Sequence, residues 1–88
     1  MLRIDTTPRF DRRLTAFIKA HPDLREKTRA LIDRLAENPF EPKNKTHHLS
    51  GKLKKFWGAY ISWSYRVVFF LSDEAITLIN IGSHDEVY

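Results

Sequence analysis

Five side chains in the second half of the chain are of types that move protons or hold phosphates: His47, His48, Arg66, His84 and Tyr88. Histidine changes charge near neutral pH and tyrosine offers a hydroxyl, so both can transfer protons. Arginine keeps its charge and presents a planar fork that matches a phosphate. Singly, each has an ordinary structural role: a loop histidine, a rim ion pair, a packing tyrosine. Together they fit one reaction. Cleaving RNA without a metal needs a base for the 2′-hydroxyl, an acid for the leaving 5′-oxygen and a cation for the phosphorane. No metal or cofactor is expected: no acidic cluster could hold a hard cation, and the histidines lack zinc-site spacing. There is also no Gly-rich phosphate loop, and no Ser or Cys sits in a nucleophile motif.

The charge distribution points the same way. The net charge of +4 conceals three regions. Residues 1–41 carry nine Lys/Arg and seven Asp/Glu, residues 42–72 carry six Lys/Arg and no acid, and residues 73–88 carry four acids and no Lys or Arg. A charge run is usually a solvated face. Here the basic run also holds Trp57, Tyr60, Trp63 and Tyr65, and cations interleaved with aromatic rings suit phosphate backbones and stacked bases.

These residues need a scaffold, and 88 residues predict one small domain over 1–88. A chain of this size buries only about 60–65% of its unfolded surface, so its core is thin. The absence of cysteine rules out disulfides and thiolate metal sites and suits a reducing compartment. Residues 1–5 are too polar for a secretory signal and no apolar run reaches membrane length, so a cytoplasmic protein with no membrane partner is expected.

Leu2 and Ile4 alternate with polar residues, predicting a short edge strand. Thr7-Pro8 is a helix start, and Phe10, Leu14, Phe17 and Ile18 give that helix one apolar stripe up to Ala20-His21. His21 reads as a turn residue or cap. Pro22-Asp23 opens a second helix with Leu24, Thr28, Leu31, Ile32 and Leu35 inward, ending at Asn38-Pro39. His47–Lys55 holds a strand broken at Ser50-Gly51, and strands follow at Phe56–Trp63, Tyr65–Leu71 and Ala75–Ile81. The stretch Tyr60–Leu71, apolar on both alternating faces, reads as the middle of a sheet covered on each side. Its one cation, Arg66, is expected at the rim, facing a phosphate. The fold class is therefore α+β: an antiparallel sheet of four to five strands with an N-terminal helical hairpin on one face, in the order β-α-α-β-β-β-β.

Three segments carry a family resemblance: His-His-Leu-Ser-Gly-Lys-Leu (47–53), Ser-Tyr-Arg-Val-Val-Phe (64–69) and Ile-Gly-Ser-His-Asp-Glu-Val-Tyr (81–88). The chain resembles the RelE/ParE superfamily of bacterial toxins, with the closest fit to the RelE and YafQ branch of mRNA interferases. The resemblance implies a type II toxin that enters the ribosomal A site and cuts mRNA there. It also implies a cognate antitoxin whose disordered tail folds on the toxin. By position it assigns His47, Arg66, His84 and Tyr88 to catalysis, with His84 as general acid or base, His47 as its partner and Tyr88 in support. Lys52, Lys54 and Lys55 fall where such toxins keep catalytic or RNA-binding lysines, and Lys45, His48 and Tyr65 join them as expected RNA contacts. Two departures stand out. YafQ-like toxins carry an Asp-Trp pair where this chain has Tyr65-Arg66, and a further active-site histidine of that branch has no clear equivalent.

Two other functions fit the same fold. A ParE-like toxin poisons gyrase without chemistry, although such toxins generally lack the His and Tyr set. A plain RNA- or ribosome-binding domain would use the basic aromatic surface alone.

Overall fold

Thr7 and Pro8 set where the first helix begins. The Thr7 hydroxyl accepts a hydrogen bond from the Phe10 amide (3.2 Å) and donates one to the Leu78 carbonyl (3.1 Å). One side chain thus caps α1 (Pro8–Ala20) and ties its start to the sheet. The structure, a computed structural model, describes residues 1–88. The chain runs β1 (Arg3–Thr6), α1, α2 (Arg25–Glu37), β2 (His47–His48), β3 (Trp57–Tyr60), β4 (Tyr65–Leu71), β5 (Ala75–Ser83) and a short α3 (His84–Val87). No helix is long and apolar enough to cross a membrane.

The five strands form one sheet in the order β1-β5-β4-β3-β2, which puts β4 in the centre as its composition predicts. Both of its faces are covered. Phe10 and Phe17 of α1 and Leu31 and Leu35 of α2 pack on Ala59, Val67, Phe69, Ile76, Leu78 and Ile81. On the other face Val68 meets Leu49 and Val87, with Leu53, Phe56 and Ile79 around them. Burying an aromatic such as Phe10 completely stabilises the fold by about 3–5 kcal/mol relative to alanine.

Several boundaries differ from the sequence expectation, each for a local reason. Pro22–Leu24 winds as a 3₁₀ turn before α2 begins at Arg25, since His21 still caps α1. The strand predicted over Phe56–Trp63 stops at Tyr60, because Ile61–Ser64 form the turn into β4. β2 spans two residues and gives way to a 3₁₀ turn at Gly51–Leu53, where Gly51 takes φ +64°. β5 runs through Gly82 to Ser83, and Gly82 pairs with Arg66. The sheet is not wholly antiparallel either. β1 pairs in parallel with β5, Arg3 opposite Ala75 through Thr6 opposite Leu78. The rest of the chain intervenes between these two strands, the long crossover that a parallel pair requires.

The double role of Thr7 can be measured. Thr7→Ala is expected to cost about 1 kcal/mol or more, lowering the melting temperature by about 4–8 °C, while Thr7→Ser retains most of the stability. Equal melting temperatures for Thr7→Ala and the parent chain in thermal circular dichroism would show that the cap is not used.

Candidate active site

The face of the sheet opposite α1 and α2 carries a cluster built around Arg66. Consecutive strand residues point to opposite faces, so Val67 enters the helix-covered core while Arg66 turns the other way. Arg66 lies opposite Tyr60 of β3 and Gly82 of β5. Only 6% of it is exposed, so it is buried and not at the rim. None of the ion pairs in the structure involves it. Its charge is accommodated in two other ways. Nη1 donates to the carbonyls of Trp63 (2.7 Å), Ser62 (3.0 Å) and Tyr65 (3.3 Å), and Cζ lies 3.5 Å from the centre of the Tyr60 ring. The remaining guanidinium nitrogens make no carboxylate contact.

His47 reaches the same face from β2, where it pairs with Gly58. Its Nδ1 is 3.1 Å from the Lys45 carbonyl. A carbonyl only accepts, so the neutral ring carries its proton on Nδ1 and leaves Nε2 as an acceptor. The Tyr88 hydroxyl sits 3.0 Å from that Nε2 and donates to it. The ring of His84 stands nearly perpendicular to Tyr88, with centroids 4.6 Å apart. His47, His84 and Tyr88 together line an open cleft of about 400 Å³ with His48, Leu49, Ser50 and Leu53. Burial raises the Tyr88 phenol above the ordinary tyrosine range and Tyr60 pushes in the same direction, while the Arg66 charge draws it partly back. Tyr88 is therefore a neutral hydrogen-bond donor at physiological pH.

Two local devices hold these side chains. At the C-terminus Ser83 and Glu86 form a capping box: the Glu86 amide donates to Ser83 Oγ (3.3 Å) and the Ser83 amide to Glu86 Oε1 (2.8 Å). Those bonds to Ser83 hold the Glu86 carboxyl below its usual range, with Arg13 contributing less. Arg13 also donates to the Ile81 carbonyl (3.1 Å) and reaches Glu86 at 3.5 Å, while Val87 is buried against Val68 and Leu49. In front of His47, fully buried Asn44 accepts from Arg34 Nε (2.8 Å) and donates to the Asn38 carbonyl (3.3 Å). That anchors the 42–45 turn to α2, with Lys45 in the left-handed region at φ 51°.

Of the residues singled out from the sequence, His47, Arg66, His84 and Tyr88 do come together. His48 stacks on Trp57 with centroids 4.7 Å apart and still lines the cleft. Lys52, Lys54 and Lys55 are exposed on and just after the Gly51–Leu53 turn. Lys45 is exposed, and its carbonyl orients His47. Tyr65 lies elsewhere: it packs against Phe17 and His21 on the helix-covered face, with centroids 5.2 and 4.6 Å apart. The period-two alternation that points Arg66 outward points its neighbour inward.

Three contributors were missed. Tyr60 covers the guanidinium and also meets the His47 ring, edge to face at 6.0 Å; a hairpin turning at 61–64 brings it opposite Arg66. Asn44 carries no sequence signal of its burial. Gly58 does: a glycine inside a strand marks close approach of another group. A Cβ there would run into the Tyr88 hydroxyl and come within 3.1 Å of the His47 ring.

Gly58→Ala is accordingly expected to expel the Tyr88 hydroxyl from His47 while the fold persists. NMR should show the two rings moved apart, and the Tyr88 phenol, freed to solvent, should titrate lower, nearer the ordinary value. Because the folded-state value is raised, the stability supplied by the neutral phenol is complete below the ordinary value of 10.0. It disappears as pH climbs through the folded value. An alanine variant with both the ring pairing and the raised titration intact would mean that Gly58 is not what makes the room.

Comparison with known proteins identifies the family and agrees with the fold. A family model described as "Bacterial toxin of type II toxin-antitoxin system, YafQ" matches residues 2–88. A search of the curated proteins gives no match. Among solved structures, YafQ from E. coli strain BL21(DE3) superposes with a TM-score of 0.86 at 20% identity, covering 100% of this chain and 99% of that one. The E. coli DinJ-YafQ toxin-antitoxin complex matches with a TM-score of 0.84 at 21% identity and the same coverage. A metal-bound toxin from Helicobacter pylori is 30% identical over 100% of both chains, with a TM-score of 0.78. With the five-stranded sheet, the helical hairpin and a family match over nearly its whole length, this chain belongs to the YafQ family of toxins of bacterial type II toxin-antitoxin systems, within the RelE/ParE-like fold.

Proposed function

We propose that this toxin is an endoribonuclease that cuts mRNA on the translating ribosome in the cytoplasm, by acid–base chemistry that needs no metal. The observation that carries the reading is the hydrogen bond from the Tyr88 hydroxyl to His47 Nε2, set beside the Arg66 guanidinium. His47 is held in the one tautomer that leaves Nε2 free to accept a proton, and the Lys45 carbonyl then stabilises the imidazolium that forms. In this mechanism the RNA 2′-hydroxyl gives its proton to the Tyr88 oxygen as Tyr88 passes its own to His47. The 2′-oxygen attacks phosphorus, the bond from phosphorus to the 5′-oxygen breaks, and His84, exposed beside Tyr88, serves as the general acid that protonates the leaving oxygen. The products are a 2′,3′-cyclic phosphate and a 5′-hydroxyl, and the resting enzyme is restored when His47 releases the proton it gained and His84 takes up the one it gave. Arg66 contributes as a fixed positive charge behind Tyr88, favouring negative charge as it develops on the phosphorane. Lys45, Lys52, Lys54 and Lys55, with His48, supply positive or polar surface around the cleft for the RNA backbone.

The E. coli YafQ structure with DinJ supports a further element of this reading, a cognate antitoxin that binds this chain and blocks the cleft.

Cell-free translation supplies the test. Wild-type protein is expected to cut mRNA only in actively translating ribosomes, leaving 2′,3′-cyclic phosphate ends. Tyr88→Phe removes only the hydroxyl and should lower the cleavage rate by about 10²–10⁴-fold with little change in melting temperature. Intact mRNA in the wild-type reaction, or undiminished cutting by Tyr88→Phe and by His47→Ala, would sink the mechanism.

A further inference from the structure

Beside the cluster runs a second depression, a groove of about 500 Å³ between α2, the 42–45 turn and the turn joining β3 to β4. Its charge is one-sided: Lys27 and Arg34 from α2 and Lys43 and Lys45 from the turn line it, against a single acid, Glu26. None of Lys27, Lys43 and Lys45 takes part in an ion pair, so the groove presents unneutralised positive charge. Trp63 stands on its wall with 81% of its surface in solvent. Exposing a ring of this size forgoes the burial that usually holds it, about 1.5–3 kcal/mol for a large apolar side chain. The backbone presenting it is held firmly, because Arg66 donates to the carbonyls of both Ser62 and Trp63.

The groove is continuous with the cluster at two points. Tyr60 lies in its wall while its ring covers Arg66. Lys45 also lies in its wall, while its carbonyl holds His47. Cations along a groove with an exposed aromatic ring are the features that hold single-stranded nucleic acid: charge follows the backbone, and the ring stacks on a base of any sequence. We propose that this groove is a single-stranded RNA channel that receives the sugar–phosphate backbone flanking the scissile phosphodiester, with one base stacked on Trp63. The placement of RNA at the cluster rests on the nuclease reading above, but binding in the groove can be measured without cleavage.

The experiment is fluorescence anisotropy of a short fluorescein-labelled oligouridylate titrated with the full chain over a range of salt concentrations. Trp63→Ala is expected to weaken binding roughly ten-fold or more. The double variant Lys27→Ala/Lys43→Ala is expected to reduce the slope of log affinity against log salt by about 1.4, since each phosphate left without its lysine takes about 0.7 off the slope. All three residues are exposed, so melting temperatures should stay at the parent value. No binding by the parent chain, or parent affinity and slope in both variants, overturns the proposal. So does loss of binding to an acidic antitoxin peptide with RNA affinity unchanged, which would assign the groove to a protein partner. RNA bound through the groove but mRNA left intact on translating ribosomes would uphold the channel and refute the nuclease. Normal cutting with RNA affinity indifferent to both variants would do the reverse.

Discussion

A guanidinium that cannot lose its proton lies under the central strand of a small sheet, and much of the local structure follows from accommodating it. Moving such a charge out of water costs several kcal/mol even after relaxation. No carboxylate offsets that cost at Arg66. Hydrogen bonds from a charged donor contribute about 1.5–3 kcal/mol each, and a desolvated cation–π contact about 2 kcal/mol. Nη1 has two hydrogens but three carbonyls around it, so the contributions are shared and not additive. The two shortest contacts, to Trp63 and Ser62, dominate. The turn between β3 and β4 is thereby wrapped around the cation, and Tyr60 is laid over it.

That arrangement divides the sheet into two working faces. The helix side is an apolar core and specifies the fold. The opposite side is only partly apolar: Leu49, Val68 and Val87 seal one portion, and the remainder is given to Arg66, Tyr60, His47 and Tyr88. Gly58 and Gly82 flank this polar portion on the neighbouring strands. Tyr88 uses the absent side chain at Gly58, and the Glu86 carboxylate and Arg13 crowd over Gly82. α3 is too short to persist alone. It is held by its capping box, by Arg13 and by Val87, so the side chains at the end of the chain are positioned by contacts with α1 and β4.

Much of this is legible in local patterns. Thr7-Pro8 and Pro22 mark helix limits through backbone geometry that any context must respect. The stripe of Phe10, Leu14, Phe17 and Ile18 shows its buried face through a 3.6-residue period. Tyr65–Leu71 announces a central strand because both of its faces are apolar. The segments around His47, Arg66 and His84 were enough to suggest the family. The inward side of Tyr65 is legible in the same way: adjacent strand residues face opposite ways, so Tyr65 and Arg66 could not both face the same RNA.

The α+β class, the limits of α1, the identity of the core strand and the residue types available for chemistry are all set by neighbours within a few positions, and the linear chain carries them. The parallel pairing of β1 with β5, the burial of Arg66 beneath Tyr60, the anchoring of the His47 turn by Asn44 and the meeting of His47 with Tyr88 arise only in the folded molecule. These depend on strand order, register and the space left at Gly58. Residues 41 positions apart become hydrogen-bond partners only once the sheet has set the distance between them.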